Sequence, residues 1–159
     1  MDDTVILYNN ITKILIDYNF SISTMESCTS GLIATLLTNE PGASAIFSSA
    51  DVTYSNEAKL LRGVNIDSGV YSEQTAINMA RESQYLNRSL IGIGITGVLG
   101  REDPNNKRNE FDVYFCIVIG DKIINEHLNI PDDIKDRFNQ KLYVANRIGY
   151  SLLTALENI

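Results

Sequence analysis

Hydrophobic and polar positions alternate with three different periods along this chain, and the changes of period mark its elements. Over residues 3–18 the apolar side chains Val5, Ile6, Ile11, Ile14 and Leu15 recur at helical spacing, with Asp2 or Asp3 placed to cap the helix. Phe20, Ile22 and Thr24 then alternate with Ser21 and Ser23, the period of a short strand. From residue 27 to 38 the helical stripe returns in Leu32, Ile33, Leu36 and Leu37, with Ser27 or Thr29 at the N-cap and Glu40-Pro41-Gly42 as a breaker. Ser27-Cys28-Thr29-Ser30-Gly31 therefore lies at a strand-to-helix junction.

Further on, Ile46-Phe47 and Val52 to Tyr54 read as extended chain. Ser55-Asn56-Glu57 starts a short helix through Lys59 and Leu61 that stops near Gly63. Ser72 begins a longer helix containing Thr75 to Arg81. Leu90, Ile91, Ile93 and Ile95, punctuated by Gly92, Gly94 and Gly97, read as a buried central strand. Residues 98–110 are turn-rich and form the best loop candidate. Phe111 to Ile119 and Ile123 to Ile130 flank Gly120-Asp121-Lys122 as a hairpin, and Pro131 suits the first turn of a last helix that packs Phe138, Leu142, Ala145, Ile148 and Leu152 on the sheet. Alternating helices and strands, with a hairpin near the end, predict an α/β fold: a three-layer sandwich whose mixed β-sheet is flanked by helices on both faces. No repeat or linker divides residues 1–159, so one domain is expected.

Composition narrows the function classes. The 159 residues are 44% hydrophobic and 21% charged, ordinary for a globular protein, and the formal net charge is −7. That balance, with no basic cluster longer than Lys107-Arg108, argues against a nucleic-acid or membrane-surface partner. Two cysteines, Cys28 and Cys116, and the single His127 offer neither a disulfide framework nor a metal-ligand pattern. The Met-Asp-Asp opening has no basic segment leading into an apolar core, and no apolar run reaches about 18 residues, so a cytoplasmic protein is the expectation.

Three segments could carry chemistry. A hydroxyl in Glu26-Ser27-Cys28-Thr29-Ser30-Gly31, at a helix start, sits among unpaired N–H groups that favour developing negative charge; helix capping by Ser27 or Thr29 is the commoner role of such residues. In Tyr54-Ser55-Asn56-Glu57-Ala58-Lys59, a lysine becomes a general base if burial lowers its pKa; a solvated surface lysine is the commoner case. Gly94-Ile95-Thr96-Gly97 ends a strand where backbone can approach a ligand, or simply makes a tight turn. Cys28 reads as a small buried residue, His127 as a surface residue, and the acidic residues give no convincing pair.

Together these segments resemble the C-terminal domain family of the competence/damage-inducible protein CinA, which also includes stand-alone nicotinamide mononucleotide deamidases. The resemblance runs from roughly residue 5 to 100. Thr24-Met25-Glu26-Ser27-Cys28-Thr29-Ser30-Gly31 is similar to the family's T-A-E-S-C-T-G-G. Pro41-Gly42-Ala43-Ser44-Ala45 resembles P-G-S-S, Val52 to Lys59 resembles V-x-Y-S-N-E-A-K, Gly69 to Glu73 resembles G-A-V-S-E, and Gly94 to Gly97 resembles part of S-G-I/T-G-I-A-G-P. The resemblance implies a metal-independent amidohydrolase without a cofactor, taking a small nucleotide and releasing ammonia. Ser27 would be the nucleophile and Lys59 its base, with Tyr54 positioning or polarising the pair. Thr29, Ser30, Gly31, Ser44, Asn56, Thr96 and Gly97 would face the substrate, and the chain would form a homo-oligomer.

The sequence departs from the family pattern at Ser30, which replaces the second glycine of C-T-G-G. It departs again at Thr96-Gly97-Val98-Leu99-Gly100-Arg101, where the proline is missing, and at Phe111-Asp112, where Gly-Thr would stand. A basic residue of the last helix, Arg137 or Lys141, would meet the ligand. These changes spare Ser27 and Lys59 but alter the nucleotide loop, and Asp112 at short range would repel a phosphate. Two alternatives follow: a catalytically silent binding or assembly module, and a hydrolase of a non-phosphorylated amide.

Overall fold

The computed structural model describes residues 2–99 and 112–159. Its first helix, α1 (Asp3–Tyr18), starts where Asp2 accepts the Thr4 N–H and ends at Asn19 in the left-handed conformation. Strand β1 (Ile22–Glu26) leads through an elbow into the short helix α2 (Leu32–Leu37), and a 3-10 turn at Ala43–Ala45 precedes β2 (Phe47–Val52). Helices α3 (Asn56–Leu61) and α4 (Glu73–Asn87) follow, capped by Ser55 and Ser72. Then come β3 (Ile91–Gly97), β4 (Asp112–Ile119), β5 (Lys122–Asn129) and α5 (Arg137–Glu157).

The five strands form one sheet in the order β2-β1-β3-β4-β5. β2, β1 and β3 run parallel, and β3, β4 and β5 are antiparallel neighbours. The two parallel pairings need crossovers over the sheet faces, and these carry α2 and the α3–α4 segment. One face holds Ile22, Ile91, Ile93, Ile95, Val113, Phe115 and Ile117 against α1, α2 and α5. The other carries Met25, Cys116 and Val118, which cluster with Val64, Ala76, Met79 and Ala80. The expected fold class is therefore the observed one, an α/β mixed sheet with helices on both faces.

Strand alternation assigns β1 side chains to the two layers. Ile22, Thr24 and Glu26 face α2. Ser23 and Met25 face α4, where the Ser23 and Ser83 hydroxyls meet at 2.7 Å. The glycines of β3 exist for the α4 layer: a Cβ at Gly92 would stand 2.2 Å from the Ala80 carbonyl oxygen, and one at Gly94 would stand 2.3 Å from that of Ala76. Without side chains at these positions the helix backbone rests directly on the strand.

Three element expectations need correction. The last helix starts at Arg137, capped by Asp136, and Pro131 belongs to the preceding turn. Its buried stripe is Gln140, Val144, Ala145, Ile148, Gly149, Leu152 and Ala155, so Phe138, one turn too early, is exposed. In α1 the buried face is Thr4, Leu7, Tyr8, Ile11, Thr12 and Leu15. Ile6 is exposed, because the 3.6-residue period extended back from Leu15 reaches Leu7 and Tyr8. Apolar identity alone misled the sequence reading at both sites. The loop expected at 98–110 lies outside the described residues from residue 100 onward, as does Phe111. No helix among the described residues is long and apolar enough to cross a membrane.

Gly94→Ala is expected to cost about 2–3 kcal/mol, since the new methyl meets helix backbone rather than a flexible side chain. Urea denaturation checks this. A loss below about 0.5 kcal/mol would show that α4 lifts from β3 freely.

Candidate active site

The carboxyl ends of the three parallel strands bring Thr53, Ser27 and Thr96 side by side. The Thr53 N–H donates to the Glu26 carbonyl at 2.8 Å and the Ser27 N–H to the Ile95 carbonyl at 3.0 Å, so Ser27 remains in sheet register one residue past β1. That register puts its side chain in phase with Ser23 and Met25. Helix α3 follows β2 after three residues, and its first turn is fixed by the Ser55 hydroxyl, which accepts the Ala58 N–H at 3.0 Å. An Arg62–Asp51 ion pair at 2.8 Å ties the end of α3 back to β2.

This scaffold drives the Lys59 side chain inward. It is 1% exposed, and Ser27 is 5% exposed. The Lys59 Nζ donates to the Thr53 carbonyl at 2.7 Å and lies 3.1 Å from Ser27 Oγ. Burial lowers the Lys59 pKa below the ordinary lysine value of 10.5, because desolvation penalises the ammonium more than the amine. No carboxylate hydrogen-bonds or ion-pairs with the amine among the described residues. A buried amine against a hydroxyl, at hydrogen-bonding distance, is the arrangement in which a lysine can take a serine proton.

The elbow after β1 differs from its expected form. Neither Ser27 nor Thr29 caps α2. The N-cap is Gly31, with φ of 90°, and it provides no side-chain bond. The cap comes from Glu26, which the sequence reading passed over. Its carboxylate is fully buried and accepts the N–H groups of Ile33 at 3.0 Å and Ala34 at 2.9 Å, and the hydroxyls of Thr29 at 2.7 Å and Thr24 at 3.0 Å. A helix that starts on glycine leaves N–H groups seeking an acceptor, and an acidic residue just before the turn was the available signal. Thr53, held against Lys59 through its carbonyl, was also passed over. Its side-chain hydroxyl is buried and has no hydrogen-bond partner among the described residues.

Other expected site residues are distributed unevenly. Ser30 is exposed and left-handed, with φ of 51°, a conformation that glycine adopts without strain, and its N–H is committed to the Ser27 carbonyl. Among the described residues the Thr29 and Gly31 N–H groups take no part in the elbow's hydrogen bonds. Thr96 is buried and donates its hydroxyl to the Val70 carbonyl at 2.8 Å. Gly97 admits β4 closely: a Cβ there would lie 2.4 Å from the Asp112 carbonyl. Asn56 is exposed on the first turn of α3, beside the pair in sequence. Tyr54 is largely exposed and, among the described residues, hydrogen-bonds neither Ser27 nor Lys59. Its ring is therefore available to a bound molecule rather than engaged in orienting the pair.

Ser44 is not brought to this edge. β2 runs parallel to β1 with Phe47 opposite Ile22, so the turn before β2 sits at the amino end of the strands, about 16 Å from the carboxyl end by strand rise. The Asp112 carboxylate is engaged elsewhere: it contacts His127 Nε2 at 2.9 Å, and His127 stacks on Tyr114. Arg137 and Lys141 are both on α5.

Neither thiol suits nucleophilic work. Burial raises both Cys28 and Cys116 to about 12, and Glu26 adds to the effect at Cys28. Among the described residues no group of three or more His, Cys, Asp or Glu could hold a metal ion.

Fold and site define the class: an α/β protein in which a serine on a strand-to-helix elbow is buried against a lysine of α3. The CinA C-terminal domain model matches residues 5–148, and the chain belongs to that family. A competence-damage inducible protein of Clostridioides difficile is 39% identical over 152 residues, covering 92% of this chain and 36% of the relative. A similarly described protein of Clostridium novyi is 39% identical over 137 residues, covering 83% of this chain and 33% of the relative. The chain thus spans about a third of the curated relatives it matches. Among solved structures, a competence/damage inducible protein from Agrobacterium tumefaciens superposes with a TM-score of 0.87 at 27% identity, covering 99% of this chain and 97% of that one. A CinA-superfamily protein from Klebsiella pneumoniae gives 0.90 at 22% identity over 99% and 100%, a likeness of fold.

At pH 8 a thiol of pKa near 12 is about one part in 10⁴ thiolate. Native protein is therefore expected to react with iodoacetamide at least about 100-fold more slowly than the same protein in urea. Comparable rates would contradict the packing of both cysteines.

Proposed function

We propose that this chain hydrolyses a linear amide through a Ser27/Lys59 dyad, and that the substrate is nicotinamide mononucleotide. The observation that carries the reading is the 3.1 Å separation of two buried side chains, an alcohol and an amine whose pKa is lowered by burial. Kinship with the CinA family supports the choice of substrate, which the geometry does not select by itself.

In the neutral form, Lys59 donates one N–H to the Thr53 carbonyl, and this turns its lone pair toward Ser27. The Ser27 hydroxyl then donates to that lone pair, and its oxygen attacks the carboxamide carbon as the proton passes to Lys59. The Thr29 and Gly31 N–H groups are the available donors for the resulting oxyanion. Lys59 returns the proton to the leaving nitrogen, ammonia departs, and an ester on Ser27 remains. Water, deprotonated by Lys59, cleaves the ester to nicotinic acid mononucleotide and restores the serine. Tyr54, Asn56 and Gly97 are the residues best placed to line the approach. The net change is amide plus water to carboxylic acid plus ammonia.

Because the base must be unprotonated, kcat/KM is expected to rise with pH through one ionisation below the ordinary lysine value. Ser27→Ala and Lys59→Met are each expected to lose about 10³-fold or more in ammonia release. Wild-type release no faster than that of Ser27→Ala would contradict the proposal and leave a binding or assembly module.

A further inference from the structure

We propose that Glu26 is a positioning residue for this reaction, acting through the elbow that carries Ser27; the inference rests on the Ser27/Lys59 reading above. Consecutive residues of an extended chain point to opposite faces. Ser27 therefore meets Lys59 on one side of the sheet while Glu26 meets α2 on the other. The carboxylate is buried, and each of its oxygens accepts two donors: Thr29 Oγ1 and the Ile33 N–H on Oε1, Thr24 Oγ1 and the Ala34 N–H on Oε2. All four partners donate, the pattern that an acceptor-only carboxylate completes.

This arrangement does two things for the site. It pins both ends of the turn, since Thr24 lies in β1 while Thr29, Ile33 and Ala34 lie in or beyond the elbow. Between those ends Ser30 holds a left-handed conformation, which a residue with a side chain keeps only with such support. It also decides which N–H groups remain for a substrate. The first-turn donors of α2 at Ile33 and Ala34 are consumed, and those of Thr29 and Gly31 are left over. A glutamine at this position keeps the shape but turns one acceptor into a donor. Thr hydroxyls can rotate to accept from it, whereas the Ile33 or Ala34 N–H facing it cannot.

The test uses an alkyl fluorophosphonate, which needs no nucleotide subsite. Ser27 Oγ attacks phosphorus, fluoride leaves, the serine proton passes to Lys59, and the phosphoryl oxygen occupies the oxyanion position. Labelling of Ser27 is followed by mass spectrometry against pH. Wild type is expected to label at Ser27 and Lys59→Met to lose that labelling. Folded Glu26→Gln, checked by circular dichroism and a cooperative melt, is expected to label about 10-fold more slowly or worse, with an unchanged pH midpoint. Labelling of folded Glu26→Gln at the wild-type rate overturns the role of Glu26 while leaving the dyad intact. Failure of wild type to label in a Lys59-dependent way removes the dyad, and the positioning role with it. Should Glu26→Gln fail to fold, Thr29→Val decides. It removes one donor to the carboxylate, and about threefold slower labelling supports the role while an unchanged rate overturns it.

Discussion

The proposed chemistry depends on keeping the Lys59 amine out of water. A lysine head group loses several kcal/mol of hydration on burial, and among the described residues the protein offsets this with one carbonyl, one hydroxyl and no carboxylate bonded to the amine. Such a site penalises the ammonium more than the amine, which lowers the Lys59 pKa from its ordinary value. The same desolvation that weakens folding at low pH would supply the base that the proposed reaction needs. The sign is consistent: below the folded-state pKa both folded and unfolded chains carry the proton, and the burial cost is felt in full. Between that value and 10.5 the unfolded chain holds more protons, so stability rises with pH.

The sheet supplies the precision that this burial requires. Ser27, Thr53 and Thr96 stand in a row because parallel strands in register end together, and backbone hydrogen bonds continue past the ends of β1 and β2. The glycines of β3 belong to the same design. By letting α4 rest on the strand they bring the layer that holds Met79 and Val64 down onto Met25, two residues before Ser27. A brace of opposite charge character, the Glu26 carboxylate, stands on the far face. Ser27, the proposed nucleophile, is held from both sides of the sheet by groups adjacent in sequence but separated by the pleat.

The hydrophobic pattern made much of this legible. Ser55 and Ser72 were readable as caps, β3 as a buried strand, and the strand-to-helix junction at Ser27 as a place for chemistry. What it could not show was phase and partnership. Phe138 and Ile6 are apolar yet exposed, because the buried stripe of a helix is fixed by the packing of its neighbours. Glu26 looked unpaired because its partners are donors on backbone and threonine rather than a cation. Ser44 was drawn to the site by motif resemblance, while parallel strand direction puts it at the opposite edge. Thr53 acts through its carbonyl, for which side-chain identity gives no signal.

The most direct test of the central claim is the ionisation of Lys59 itself, followed by the pH dependence of its side-chain ¹³Cε and ¹⁵Nζ NMR shifts in the folded, ligand-free protein. Burial beside Ser27 and Thr53 predicts a single transition below that of the exposed lysines, one that disappears in Lys59→Met. A transition at or above 10.5, together with the exposed lysines, would mean that the amine is solvated or charge-paired, and that no base stands beside the serine.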